Sequence, residues 1–180
     1  METRNTCYYR EFTRKLLRLD EYDAMFDGVC FLAQHGAIEY AQGCFSSAHA
    51  SQRPQNEDDD APFDPLQFLR AFDQITRRAV QEEARAHQQY LNDAHTVKPT
   101  ASTASVDGNA AWTPAFHVDG VVFQVVLATF TSVCAVAPGK SHGLIAEKLP
   151  FGLLLVRFAW PQSMEHVFPV VERCCASLRY

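Results

Sequence analysis

The stretch CFLAQHGAIEYAQG, residues 30–43, decides the first part of the fold. Two short runs of aromatic and aliphatic residues lie on either side of His35-Gly36, and a second glycine, Gly43, follows the second run. Short apolar runs around a glycine-containing turn are typical of two antiparallel strands joined as a hairpin. The sequence therefore predicts an early β-hairpin in which His35 lies in a turn, and no residue of the stretch suggests catalysis.

Helices are predicted on both sides of this hairpin. Residues 8–22 have Phe12, Leu16 and Leu19 at helical spacing, while basic residues occupy the rest of the circumference, which indicates an amphipathic helix. The strongest helix signal follows the hairpin, from about residue 65 to near residue 90. Its apolar residues also repeat along one face.

The start of the long helix is well specified. Asp64 is a suitable N-cap, Pro65 suits the first helical position, and Gln67 lies three residues after the cap. Phe63 before the cap and Phe68 inside the helix are spaced to form a hydrophobic staple.

Two polar inserts interrupt the chain, at residues 46–62 and 92–111. The first contains two prolines and four consecutive acids, and most of the second is small and polar. Such segments bury too little apolar surface to offset the entropy of ordering, and the acids lack the pattern of a calcium loop. We predict flexible inserts within a single domain that spans residues 1–180, since neither side of an insert has its own core.

The second half of the chain is β-rich. From Trp112 onward, β-branched and aromatic runs flank a turn at Asp119-Gly120 and predict two or three antiparallel strands. Residues 143–159 are ambiguous between strand and helix, and we favour a strand for 152–159.

The chain closes with a helix whose apolar stripe continues to Leu178. Pro161 marks its predicted start, while Pro169 predicts either a kink or a later start at 168–169. The fold class is thus α+β: a mainly antiparallel five-stranded sheet with a long central helix and terminal helices, in the order α-β-β-α-β-β-β-α.

Composition restricts the function. The 180 residues are 47% apolar and 12% aromatic, which suffices for one hydrophobic core. The formal charge of −5 and the scattered arginines argue against a nucleic-acid partner. The longest apolar stretches fall short of the roughly 20 residues that a membrane-spanning helix needs. We expect a cytoplasmic protein that binds no nucleic acid and does not insert directly into a membrane.

Motifs for chemistry are weak. The Gly-Lys-Ser run at 139–141 has Cys134 where a P-loop needs its first glycine, so a polar turn is expected there. His87 and His95 are eight residues apart, about two helical turns, which is too far to share an ion without a third element. No cofactor and no metal site are predicted.

The six cysteines include no pair with the two-residue gap of a redox or zinc motif, and we expect reduced, structural thiols. No glycine-flanked serine elbow accompanies the histidines and aspartates. We therefore predict no catalytic residue and no enzyme. The alternative to a binding protein is an enzyme that depends on a cysteine or a nucleotide and is built around Cys134 or Lys140.

In this pattern the chain resembles the roadblock family, which includes the dynein light chains of that name and the Ragulator scaffold subunits. The resemblance is carried by residues 16–43, 68–79, 121–139 and 166–178. It implies a non-catalytic, dimerising adaptor or scaffold subunit whose sheets join edge to edge and whose central helices pack together. The interface it implies comprises Phe68, Leu69, Phe72, Ile75, Arg77, Phe123, Val125 and Leu127.

The resemblance also implies partners. They are another roadblock-type subunit or a second copy of the chain, together with a small GTPase or a motor or trafficking complex. Such partners could recruit the protein to an organelle membrane or to a cytoskeletal complex. The alternative to the roadblock family with the most similar architecture is a longin-like or profilin-like binding module.

Overall fold

The computed structural model describes residues 4–17, 26–49, 63–95, 114–118 and 120–179. The helices are α1 (Arg4–Leu17), α2 (Pro65–His95) and α3 (Met164–Leu178). The strands are β1 (Gly28–Ala33), β2 (Ile38–Gly43), β3 (Ala115–Val118), β4 (Val121–Ala128), β5 (Ser132–Val136), β6 (His142–Leu149) and β7 (Gly152–Ala159). Short 3-10 helices occupy Cys44–His49 and Pro138–Lys140.

The seven strands form one antiparallel sheet in the order β2-β1-β7-β6-β5-β4-β3. β1 and β7 are buried on both sides along most of their length, which explains why their sequences are nearly continuous apolar runs rather than alternating ones. Most of β6 is also buried, and its buried residues include Glu147. β7 lies between β1 and β6 in the sheet. The hairpin near the start of the chain therefore pairs with the last described strand.

Helices cover both faces of the sheet. On one face, Phe68, Phe72 and Ile75 of α2 pack in a core with residues of β3 to β7. On the other face, residues of α1 and α3 such as Phe12 and Val171 pack in a second core. The result is a three-layer arrangement in which each amphipathic helix buries its apolar stripe. None of these helices contains a stretch both long and apolar enough to span a membrane.

The early hairpin is confirmed. The N–H of Gly36 donates to the carbonyl of Ala33 at 2.9 Å, and the φ of Gly36 is +89°. A Cβ at this position would collide with the side chain of Leu66, in the first turn of α2. The turn therefore needs glycine both for its backbone conformation and for its contact with α2.

The predicted start of the long helix is also confirmed. The carboxylate Oδ1 of Asp64 accepts hydrogen bonds from the N–H groups of Leu66 at 2.9 Å and Gln67 at 3.1 Å. The rings of Phe63 and Phe68 lie 5.7 Å apart. Both the cap and the staple thus form as their spacing predicts.

The number of strands was wrong, since the sheet has seven rather than five. Five strands follow α2 instead of three. The turn predicted at 119–120 does separate two strands, β3 and β4, and the φ of Gly120 is +71°. The ambiguous segment also contains two strands, β6 and β7, joined by a tight turn at Pro150 and Phe151. The strand predicted at 152–159 is confirmed, and the α+β class with a mainly antiparallel sheet holds.

Several boundaries differ from the prediction. The first helix begins at Arg4 and is described to Leu17, so the predicted part at 18–22 lies outside the described residues. The long helix continues to His95 and includes the start of the second insert. The first insert begins in a 3-10 helix, and residues 50–62 and 96–111 lie outside the described part of the chain.

The closing helix begins at Met164, not at Pro161 or at 168–169. Ser163 precedes it in extended conformation, and its carbonyl accepts from the N–H of Val167 at 3.0 Å. Pro169 lies inside the helix, which continues through it. The buried side chains on both sides of Pro169 pack on the sheet, and this packing offsets the single backbone hydrogen bond that proline removes.

Candidate protein-interaction face

The residues of the predicted interface fall into three groups in the structure. Four are buried in the chain's own core, Phe68, Phe72 and Ile75 on α2 and Phe123 on β4. Two are half-buried, Leu69 and Val125, and two are exposed, Arg77 and Leu127. The buried four hold α2 on the sheet. The role of these eight residues as an interface stays a prediction.

The most exposed apolar side chains of the sheet lie on β4. Val126 is 57% exposed, Leu127 47% and Val122 37%. We call these three residues the β4 face. Single exposed apolar residues are normal on protein surfaces, but neighbours along one strand form a patch that a partner can bury.

A β-bulge in β4 places Leu127 in this patch. The register of β4 against β5 shifts between Val125 and Leu127, so that Val126 is the extra residue. Leu127 then pairs with Cys134, whose side chain lies in the core beneath α1 and α3. Because paired residues share a face, the bulge turns Leu127 toward the face opposite α2. Bulges reorient side chains in this way.

A groove of about 280 Å³ runs between β4 and α2. Ile75, Ala79 and Val126 contribute apolar walls, and Arg78 and Glu82 lie along the helix side. Nε of Arg78 donates to Oε1 of Glu82 at 2.8 Å. An exposed pair of this kind adds little stability, but it places both charges beside the apolar patch, as at the polar rim of an interface.

The predicted interface does not include Val122 or Val126, although the sequence contains a signal for their exposure. VVFQVVLA has apolar residues at consecutive positions, yet β4 pairs on one side with a strand of only four residues. A strand near the sheet edge that is apolar on both faces cannot bury all its side chains within its own domain. That combination, once β3 is recognised, would have indicated an exposed strip.

Of the cysteines considered for chemistry, Cys134 is buried in the core. Burial, with a smaller contribution from Glu147, raises the pKa of the Cys134 thiol to about 12. Burial likewise raises the pKa of Cys30 and Cys175. Since the thiolate is the reactive form, these buried thiols are not activated nucleophiles.

The Gly-Lys-Ser run is a turn, as predicted. Residues 138–140 form a 3-10 turn between β5 and β6, with positive φ at Gly139 and Lys140. His87 is exposed on α2, and the side chain of His95 lies outside the described residues. In the part of the chain that the structure describes, no three metal-ligating side chains come close enough to hold an ion.

Comparisons of the sequence with protein-family models and with curated proteins give no match. Solved structures of profilins, in contrast, match almost the whole chain. The profilin in a LokiProfilin2/rabbit actin complex superposes with a TM-score of 0.55 at 8% identity and covers 96% of each chain. The LokiProfilin1/rabbit actin complex gives a TM-score of 0.52 at 11% identity, over 97% of this chain and 96% of that one. Acanthamoeba castellanii profilin IA gives 0.51 at 15% identity, over 96% of each chain.

These comparisons overturn the roadblock resemblance, and with it the assignment to dynein light chains, Ragulator subunits and their GTPases. The predicted roadblock fold and the observed fold share a hairpin, a long helix, a late strand pair and a closing helix. The sequence pattern of these elements therefore does not distinguish the two folds. The two additional strands and their complete antiparallel order separate them. At 8 to 15% identity the similarity shows the fold alone. The chain has a profilin-like fold, in agreement with the alternative of a profilin-like sheet.

Proposed function

We propose that this protein is a non-catalytic protein-binding module whose partner is actin or an actin-like protein. Two of the similar profilin structures are complexes with rabbit actin, and they support this choice of partner. The observation that carries the proposal is the exposed β4 face, Val122, Val126 and Leu127, on that fold.

Removal of the apolar side chains of the β4 face from water would drive the association. Burial of apolar surface stabilises a complex by roughly 25 cal/mol per Å², and a stable interface covers about 800 Å² on each partner. The β4 face supplies an apolar centre, and the neighbouring Arg78–Glu82 pair supplies a charged rim. In such an arrangement a few central side chains contribute most of the binding free energy.

The proposed module lies in the cytoplasm and carries out no covalent chemistry. An actin partner is consistent with the cytoplasm, which we keep as the proposed location. The raised pKa of the Cys134 thiol supports a binding role over a cysteine-dependent reaction.

Sedimentation velocity of the chain mixed with monomeric actin tests the proposal. We expect a faster-sedimenting species that neither protein forms alone, and Val126→Asp should weaken it at least tenfold, because the new carboxylate would be buried without a partner. Ala176→Asp adds the same charge to an exposed position on α3 and should leave binding unchanged. A mixture that sediments as its separate components would contradict the proposal, as would association of the chain only with itself.

A further inference from the structure

A second cavity lies away from the β4 face, at the end of the sheet where β1 turns into β2. It has a volume of about 440 Å³ and is bordered by that turn, the first three turns of α2 and the β6–β7 hairpin. We call it the turn pocket. Leu66, Leu69, Phe72, Leu149 and Leu153 give it an apolar floor.

The walls of the turn pocket are fixed by contacts within the chain. Nε2 of Gln34 donates to the carbonyl of Pro150 at 2.8 Å and so joins the β1–β2 turn to the β6–β7 turn. Gly36 lies against Leu66 with no room for a Cβ, so the first turn of α2 packs directly on the β1–β2 turn. The pocket therefore exists before a ligand arrives, as most binding sites do.

The rim of the turn pocket carries positive charge. Arg70 and Lys148 are exposed lining residues, and His35 lies beside them. The single acid of the lining, Asp73, lies 3.5 Å from Arg77 and is partly neutralised. This local excess of cations stands out on a chain whose formal net charge is −5.

The two cations differ in what holds them. Within the described residues, Arg70 makes no hydrogen bond or ion pair. The ammonium of Lys148 lies 5.1 Å from the centre of the Phe130 ring, a cation–π contact that orients it without neutralising it. Both can therefore pair with an incoming carboxylate, and the planar guanidinium of Arg70 can do so with two hydrogen bonds.

From this combination we infer that the turn pocket binds an acidic peptide segment of a partner protein, in which an apolar side chain enters the pocket and neighbouring carboxylates pair with Arg70 and Lys148. An apolar floor beneath a cationic rim fits such a segment better than it fits a free inorganic anion, which would leave the floor exposed to water. The inference does not rest on the proposed binding of actin, because the turn pocket and the β4 face share no residue.

The test begins with selection of peptides from a random displayed library on the full chain. We expect the retained peptides to be enriched in aspartate or glutamate next to leucine or phenylalanine. One labelled peptide from the selection is then titrated by fluorescence anisotropy. Arg70→Gln and Lys148→Gln should each weaken its binding about tenfold, and the affinity of the unaltered chain should fall as salt increases.

Arg85→Gln is the matched control, because it removes an arginine from the exposed surface of α2 outside the turn pocket. It should change the affinity less than twofold. Retained peptides without acidic enrichment, or equal losses in Arg85→Gln and Arg70→Gln, would overturn the inference. It would also be overturned if no peptide were retained while vesicles with 20% phosphatidylserine bound the chain in a manner that depended on Arg70 and Lys148.

Discussion

Arg179, directly after α3, donates a hydrogen bond of 2.7 Å from Nη2 to Oε2 of Glu147 on β6. The side chain of Glu147 is completely buried, and its other oxygen, Oε1, has no hydrogen-bond partner among the described residues. The guanidinium is 29% exposed. The pair therefore joins the end of the chain's last helix to a central strand, and it leaves one buried oxygen unsatisfied.

Replacement of Arg179 by methionine should destabilise the fold by about 2 to 4 kcal/mol. The substitution leaves the Glu147 carboxylate buried without its counter-ion, which costs more than the pair contributes when intact. Urea unfolding followed by circular dichroism measures the change. Arg173→Met alters an exposed arginine on α3 and should cost less than about 0.5 kcal/mol. Equal stabilities of the two variants would show that the pair does not hold α3.

The free energy of unfolding should depend on pH through Glu147. Burial raises the pKa of its carboxyl group, and the Arg179 guanidinium and the nearby Ser132 hydroxyl oppose that shift only in part. A carboxyl group with a raised folded pKa binds more protons in the folded state than in the unfolded state. Its contribution is therefore most favourable below the ordinary glutamate pKa of about 4.3, and it declines as pH rises through the folded pKa.

The measurement is a difference between two chains. Unfolding free energies of the unaltered chain and of Glu147→Gln are determined from pH 4 to pH 8. The unaltered chain should lose stability relative to the variant as the pH rises, because the glutamine does not titrate. A constant or opposite difference would contradict the raised pKa.

Removal of the helix cap should have a smaller, local effect. Asp64→Ala leaves the N–H groups of Leu66 and Gln67 without their carboxylate acceptor, and we expect a loss of about 1 kcal/mol. Asp73→Ala, which removes an exposed acid from the same helix, should cost less. Thermal unfolding of the two variants compares them, and an Asp64 effect no larger than the Asp73 effect would refute the capping role.

The turn glycine should tolerate no side chain. Gly36→Ala forces an alanine to a φ of +89° and pushes its Cβ into Leu66, so a loss of about 1 to 3 kcal/mol is expected. Gly139→Ala also introduces alanine at a positive φ, but into open space. It should therefore be the milder change in the same urea unfolding experiment. If Gly139→Ala proved as costly, contact with Leu66 would not be the cause.

The sequence predicted those parts of the fold that depend on local chemistry. The turn at Gly36, the cap at Asp64 and the Phe63–Phe68 staple each involve residues a few positions apart, and the structure has them as predicted. The number of strands depends on pairing between distant residues, such as Ser132 opposite Glu147. Periodicity within one segment does not report such pairing.

The candidate face was predictable in part. The roadblock resemblance implied an interface that included Leu127 and Val125, but it grouped them with Phe68, Phe72 and Ile75, which are core residues. An apolar helix stripe has the same pattern whether it packs on its own sheet or on a partner. The exposure of Leu127 beside Val126 depends on a bulge, which is defined only once β4 is aligned with β5.

Amide hydrogen exchange of the chain, alone and with saturating monomeric actin, tests the central claim most directly. We predict slower exchange in β4, Val121–Ala128, and in the neighbouring turns of α2 around residues 75–82. Exchange in β1 and β2, at the other edge of the sheet, should not change. Unchanged exchange throughout the chain, or protection confined to α1 and α3, would contradict binding through the β4 face.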